Sequence, residues 1–318
     1  MKTRSKLKRT DFSKTARIRL AVAKGDIFAV RRCLVEGTTP NDQDLNGWTL
    51  LHLASSRGRE KVLRVLLENG GRTELRDSIG GFTALHYAAM HGRTRIARLL
   101  LDFDQQINSA VNICSSDGWT PLHVAAHYGR DSFADLLLQH QARVDSLSDK
   151  GTTPLQLAMI RERTACIKTL LQWKANIDVQ LGFPLRYAVI KSNHSICKLL
   201  LKKGADVNLG RQEDGQTPLH LSALKDDVAA CQLLHMYGAN PTVRNHDGQT
   251  PLQISKALSL VKRPCLQFLV EITGSPRSLQ DMCRLVIRHA IGPNRLDRIH
   301  YLPLSHIMIN YLRFKFGE

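Results

Sequence analysis

The chain has 318 residues, of which 43% are hydrophobic and 23% are charged, and it carries a formal net charge of +17. These proportions are typical of a folded protein, and no apolar run approaches the ~20 residues that a membrane-spanning helix needs. The composition therefore excludes a membrane span. A basic surface of this kind attracts acidic proteins or nucleic acids.

Residues 1–15 form a basic opening segment, and neither a long apolar stretch nor a cleavage site follows it. This pattern excludes a secretory signal and predicts a disordered tail, with a nuclear import signal as the sharper alternative. Seven cysteines are scattered singly without a CxxC pair, which indicates reduced thiols. We therefore expect a cytoplasmic or nuclear location, or both.

A short motif recurs through the middle of the chain. It reads Gly-Trp-Thr-Pro-Leu-His at residues 118–123, and a degenerate copy begins at Gly182. The glycines that open the successive copies are separated by 34, 37, 33, 31, 33 and 33 residues. This is the ~33-residue period of the ankyrin repeat. The remaining copies begin at Gly47, Gly81, Gly151, Gly215 and Gly248.

Each position of the motif has a physical role in a hairpin followed by two helices. Glycine permits the turn, threonine caps the first helix, and proline at the first helical turn costs no hydrogen bond. Leucine pairs such as Leu66 and Leu67 recur in the second helix, where only stacking on neighbouring repeats buries them. Residues 16–274 are therefore predicted to form an all-α ankyrin-repeat solenoid of about eight repeats, including caps, with short hairpin fingers.

The period stops before residues 275–318, and a new amphipathic helix is predicted there. Leu279, Cys283, Val286 and Ile287 fall on one face of this helix, because they are three or four residues apart along it. Such a face could simply pack on the last repeat.

The same residues resemble the BC-box pattern of a SOCS box, which has leucine, cysteine and an aliphatic residue at the positions of Leu279, Cys283 and Ile287. The resemblance implies that this helix binds elongin C, which is accompanied by elongin B. Repeats followed by such a box resemble the ankyrin repeat and SOCS box family. Membership implies a non-catalytic substrate receptor of a ubiquitin ligase, without a cofactor.

A second segment resembles the part of a SOCS box that selects cullin-5 with its RING-box protein. Ser305 stands where that pattern has proline, so cullin-2 stays open as the alternative. The residues that the resemblance assigns to cullin binding are Ile299, Leu302, Pro303 and Leu304.

The hairpin tips and first helices of ankyrin repeats form a concave groove, in which we expect the target protein to bind. Aromatic residues directly after the turn glycine, and residues near the ends of the first helices, predict a site for an apolar segment with acidic flanks. The predicted groove residues are Trp48, Arg57, Phe82, Met90, His91, Trp119, His127, Tyr128, Ile160, Arg161, Phe183, Ile190 and Lys191.

No catalytic or metal site is predicted. His123 and His127 are four residues apart, but no third ligand is evident, and Cys283 is expected to be a contact residue rather than a nucleophile. The chain shows neither the zinc ligands of a RING domain nor a thioester cysteine. The competing interpretation is a scaffold or nucleic-acid-associated protein that uses its positive charge, although nucleic acid is not the expected partner.

Overall fold

The computed structural model describes residues 14–103, 110–258, 264–275, 279–292, 299, 301 and 304–312. These residues form helices and no β-strands, which confirms the predicted all-α fold class. Within them, no helix has the length and apolar character needed to cross a membrane. Most of the predicted basic tail lies outside the described residues, but its residues 14 and 15 belong to the first helix.

The chain divides into two compact units, and the first, residues 1–175, is a stack of five helix pairs. The odd-numbered helices α3, α5, α7 and α9 pack side by side as inner helices, and the even-numbered helices α2 to α10 pack as outer helices. The helices are α1 (14–24), α2 (Ile27–Val35), α3 (Leu50–Arg57), α4 (Glu60–Glu68), α5 (Ala84–His91), α6 (Thr94–Phe103), α7 (Pro121–Tyr128), α8 (Asp131–Gln139), α9 (Pro154–Ile160) and α10 (Thr164–Gln172), with a 3-10 turn at Ala110–Asn112 before α7.

The second unit, residues 176–318, contains three further pairs and two additional helices. In this unit α11, α13 and α15 are inner helices, and α12, α14 and α16 are outer helices. Their bounds are α11 (Val179–Ile190), α12 (His194–Lys202), α13 (Pro218–Leu224), α14 (Val228–Met236), α15 (Pro251–Ala257) and α16 (Pro264–Gly274), followed by α17 (Leu279–Ile291) and α18 (His306–Leu312).

The histidine of the repeated motif joins each repeat to the next hairpin. Nδ1 of His123 accepts the backbone N–H of Thr120, 3.1 Å away, and closes a capping box at the start of α7. The proton therefore lies on Nε2, which donates to the carbonyl of Thr152 in the following hairpin at 2.9 Å. Since both ring nitrogens are engaged, His123 is a structural residue.

The motif glycine is required where neighbouring hairpins touch. Gly118 has a φ of +73°, and a Cβ built on it would lie 2.6 Å from the backbone nitrogen of Asp149 in the next hairpin. A side chain at this position would therefore meet backbone, in a conformation that L-residues rarely adopt.

Leucines on the outer helices fill the space between pairs. Leu66, Leu100, Leu137 and Leu170 are almost completely buried, and each contributes roughly 1.5–3 kcal/mol of burial free energy. Since this burial depends on adjacent repeats, stability comes from stacking.

The degenerate copy at Gly182 lacks the capping threonine and is built differently. Gln180, Leu181 and Gly182 all have positive φ values, of +48°, +52° and +80°. The buried guanidinium of Arg186 donates to the carbonyls of Gln180, at 3.2 Å, and of Leu181. One side chain thus satisfies the carbonyls that this left-handed turn directs inward.

Cys231 in α14 and Cys265 in α16 lie side by side on successive outer helices. The sequence did not display this contact, because it arises when stacking brings equivalent positions of neighbouring repeats together.

Candidate protein-binding surfaces

A stripe of apolar side chains is exposed along α17. Leu279 is 74% exposed, Val286 67% and Ile287 40%, and Met282 and Cys283 are exposed between them. Their spacing of three and four residues places all five on one face of the helix. We call these five residues the α17 stripe. An apolar surface of this kind, contiguous along one helix, marks an interaction site.

The opposite face of α17 is held by the rest of the second unit. The side chain of Leu285 packs against Gly238, because a Cβ built on this glycine would lie only 3.1 Å from a methyl carbon of Leu285. Arg288 donates to the carbonyl of Leu201 in α12 at 3.3 Å, and its guanidinium lies 5.6 Å from the ring centre of Tyr237. The α17 stripe is therefore presented on a helix whose other side is already packed.

The segment predicted to bind a cullin is divided between interior and surface. Ile299 is only 1% exposed and packs with Leu312, Ile291 and Ile309. It is thus a core residue of the C-terminal helices, out of reach of a partner. Leu304 is 38% exposed, whereas Leu302 and Pro303 lie outside the described residues.

The aromatic residues of the hairpin tips are half-buried and pack on rings of inner helices. Ring centres lie 4.5 Å apart for Trp48 and Tyr87, 5.3 Å for Phe82 and His86, 5.2 Å for Trp119 and His127, and 5.4 Å for Phe183 and Tyr187. These aromatic residues support the hairpins, and they are not free anchors. Sequence spacing alone did not show this, because it does not fix the direction in which each ring packs.

In the first unit, the exposed part of the predicted groove lies at the ends of the inner helices. Tyr128 is 39% exposed and Ile160 43%, and Arg161 is exposed beside them. Arg57 and His91 are also exposed, whereas Met90 and His127 are half-buried. In the second unit, Ile190 and Lys191 are exposed at the end of α11, and the Lys191 ammonium lies 5.7 Å from the ring centre of Tyr187.

This region of the first unit has a positive potential. Burial lowers the pKa of His91, and Arg93 and Arg130 lower it further. The pKa of His127 is lowered in the same way by burial and then by Arg161 and Arg163. Both histidines are therefore neutral at pH 7, so arginine carries the positive charge.

Four arginines that the sequence predictions omitted surround this region: Arg59, Arg93, Arg130 and Arg163. Each precedes an outer helix, and three of them follow a glycine directly. Their recurrence at the repeat period was the signal that could have found them.

Among the described residues, no group of three His, Cys, Asp or Glu side chains could hold a metal ion. Cys283 is a free cysteine that belongs to the apolar α17 stripe.

Comparisons with known proteins assign the two parts of the chain. The family model for ankyrin repeats matches residues 18–111, 103–181 and 185–278, and the model for the SOCS box matches residues 275–313. The chain belongs to the ankyrin repeat and SOCS box family.

Individual family members show the same likeness over part of their length. The chain is 35% identical to ankyrin repeat and SOCS box protein 11 of Danio rerio over 166 residues, which cover 51% of this chain and 53% of that protein. It is 34% identical to ankyrin repeat and SOCS box protein 5 of Mus musculus over 167 residues, 51% of this chain and 49% of that protein. The chain thus spans about half the length of the curated relatives it matches. Residues 80–92 and 187–194 had predicted a greater likeness to ankyrin repeat and SOCS box protein 7, and these relatives do not support that narrower prediction.

Proposed function

We propose that this protein is the substrate-recognition subunit of an elongin–cullin–RING ubiquitin ligase. The observation that carries the proposal is the α17 stripe, a row of exposed apolar residues at the positions of a BC box. Elongin C binds this stripe and brings elongin B with it. Cullin-5 and its RING-box protein then complete the ligase, with Leu304 as the described residue available to the cullin.

Burial of the stripe supplies the free energy of docking. Fully burying a side chain such as Leu279 or Val286 contributes roughly 1.5–3 kcal/mol. Because the other face of α17 is fixed by Leu285 and Arg288, little entropy is lost in ordering the helix on binding. An exposed stripe on a preorganised helix is what such an adaptor interface requires.

The target protein binds the ends of the inner helices in the first unit. Tyr128 and Ile160 provide exposed apolar surface, and Arg161 provides charge beside them. Aromatic and arginine side chains are the residues that most often dominate interface energies. The protein contributes proximity: it holds the target while a conjugating enzyme, recruited by the RING partner, transfers ubiquitin to a target lysine.

The proposal is tested by affinity capture from cells of the wild-type protein and of a Leu279→Asp, Cys283→Asp double variant. We expect elongins and cullin to be lost from the variant, while proteins bound to the repeats are retained and accumulate. Leu147→Asp is the matched control, because Leu147 is a similarly exposed leucine, 62% accessible, in the first unit. Elongin recovery from the double variant at the wild-type level would refute the assignment.

A further inference from the structure

Four arginines form a regular row in the first unit, at the turn between inner and outer helices. Each arginine side chain lies against a glycine of the preceding helix pair, as the position of a Cβ built on that glycine shows. The distance from this Cβ to Cδ of the arginine would be 3.2 Å for Gly25 and Arg59, 2.9 Å for Gly92 and Arg130, and 2.8 Å for Gly129 and Arg163. For Gly58 and Arg93, the distance from the Cβ to Nε would be 3.0 Å. Each arginine thus crosses the turn of the preceding helix pair. We call Arg59, Arg93, Arg130 and Arg163 the arginine ladder.

Backbone hydrogen bonds fix three of the four guanidinium groups of the ladder. Nε donates to a carbonyl near the end of the preceding inner helix: from Arg59 to Ala23 at 3.0 Å, from Arg130 to Met90 at 3.3 Å, and from Arg163 to His127 at 3.3 Å. All four residues are exposed, and none forms an ion pair within the described part of the chain. The terminal nitrogens are therefore positioned to bind an anion.

The turn itself does not require arginine, as the second unit shows. There Asn193 and Asp227 occupy the equivalent positions, and their side chains cap α12 and α14 by accepting the N–H of Ile196 and Ala230. In the first unit, α4, α8 and α10 have no side-chain cap. Such a cap contributes about 1 kcal/mol. The arginines replace it with a contact across the turn, and they also leave a positive charge exposed in successive repeats.

The spacing of the ladder indicates the shape of its ligand. Packed neighbouring helices lie about 8–10 Å apart, so successive guanidinium groups have about that separation. A segment in the extended polyproline II conformation advances ~3.1 Å per residue with three residues per turn, so every third side chain lies on one side at about this separation. A nucleic-acid strand carries a phosphate for each ~3.4 Å of helix axis, which is much denser than the ladder.

The geometry points to an extended acidic segment of the target protein, with a carboxylate at every third residue, as the ligand of the arginine ladder. This inference rests on the proposed function and names the chemistry of the captured protein. Tyr128 and Ile160 adjoin the ladder in sequence and supply the apolar contacts. The positive potential at His91 and His127 is consistent with an acidic ligand.

A labelled peptide tests the inference directly with the purified full chain. The probe has glutamate at every third position, separated by Gly-Ser pairs, and its binding is measured by fluorescence anisotropy. We expect the triple variant Arg93→Gln, Arg130→Gln, Arg163→Gln to bind at least about tenfold more weakly, because one exposed ion pair contributes up to about fivefold. The matched control is Arg64→Gln, Arg98→Gln, Arg143→Gln, which removes the same charge from exposed positions off the ladder and should change binding by less than about twofold.

Three results would overturn the inference. Equal losses in both triple variants would mean that only bulk charge matters. Equal binding of a peptide with its glutamates contiguous would contradict the spacing, and tighter binding of a single-stranded oligonucleotide through the same arginines would make this a nucleic-acid surface. Thermal melts verify that the variants are folded. If the triple variant is unfolded, Arg130→Gln alone replaces it, and we expect its affinity for the peptide to fall by about two- to fivefold. The peptide assay needs no elongin, so its failure is distinct from failure of the ligase proposal.

Discussion

Nη1 of Arg288 in α17 donates a 2.7 Å hydrogen bond to the carbonyl of Leu312 at the end of α18. The same guanidinium bonds the carbonyl of Leu201 in α12 and lies over the ring of Tyr237. One side chain thus joins both C-terminal helices to α12 and to the end of α14. This connection holds the α17 stripe outward.

Replacing Arg288 with methionine should loosen both C-terminal helices while keeping most of the apolar stem. Hydrogen bonds from a charged donor contribute about 1.5–3 kcal/mol, so protection of α17 and α18 from hydrogen exchange should fall by about tenfold or more. Protection of α3 to α8 should not change, because these helices belong to the first unit. Hydrogen exchange in α17 that is as slow in the variant as in the wild type would contradict this role of Arg288.

Replacing Arg186 with alanine should destabilise the second unit by about 2–4 kcal/mol. The substitution leaves the inward carbonyls of Gln180 and Leu181 without their donor in a buried turn. Arg211→Ala is the control, since Arg211 is exposed and pairs with Glu213 and Asp214, and it should cost less than about 1 kcal/mol. Urea unfolding measures both variants, and equal losses would refute the structural role of Arg186.

Acid should destabilise the protein through its buried motif histidines. Burial lowers the pKa of His86 to about 4 in the folded chain, from 6.5. The unfolded state therefore binds an additional proton between these pH values, and stability present above pH 6.5 is lost as the pH falls towards 4. The pKa values of His52, His123 and His220 are lowered in the same direction, again first by burial.

A glutamine variant isolates this effect for His86. Gln156 occupies the same motif position in another repeat, and its Oε1 accepts the N–H of Thr153 at 2.8 Å. His86→Gln should therefore keep the capping box, but its side chain does not titrate. Between pH 7 and pH 5, the free energy of unfolding of the variant should decrease by about 1–2 kcal/mol less than that of the wild type. Parallel pH profiles in urea unfolding would contradict this explanation.

The double change Tyr128→Ala, Arg161→Ala should remove target capture without affecting elongin recovery. Both side chains are exposed, so the melting temperature should change little, while loss of interface anchors costs about 2 kcal/mol or more, roughly thirtyfold in affinity. Proximity labelling in cells, with elongin C as the internal standard, measures both. Trp119, which packs on His127, is left unchanged to preserve the hairpin. An unaltered set of labelled proteins would contradict the groove assignment.

The repeat fold could be predicted because glycine, threonine, proline and leucine each have a local physical role at a fixed period. The capping box of Thr120 and His123 depends on residues three apart, so the sequence displays it directly. The BC-box residues were equally visible, and the structure adds that Leu279 and Val286 are exposed. In these cases the sequence spacing and the spatial arrangement coincide.

Contacts between distant residues could not be predicted in the same way. The sequence did not distinguish the surface residue Leu304 from the buried residue Ile299, because burial of Ile299 depends on Ile291 and Leu312. Trp119 was predicted to line the groove, and sequence spacing did not reveal that its ring packs on His127 in the helix that follows. Arg130 was overlooked although it recurs at the repeat period, because its contact with Gly92 of the preceding repeat is visible only in the structure.

The most direct test of the central claim is calorimetric titration of purified elongin B–elongin C heterodimer into the purified protein. The account predicts a one-to-one complex with the wild type, and at least about thirtyfold weaker binding for Val286→Asp, which places a charge in the apolar interface. Val35→Asp, the same change at a valine that is 89% exposed in α2, should bind as the wild type does. Equal affinity of Val286→Asp and Val35→Asp would contradict the account.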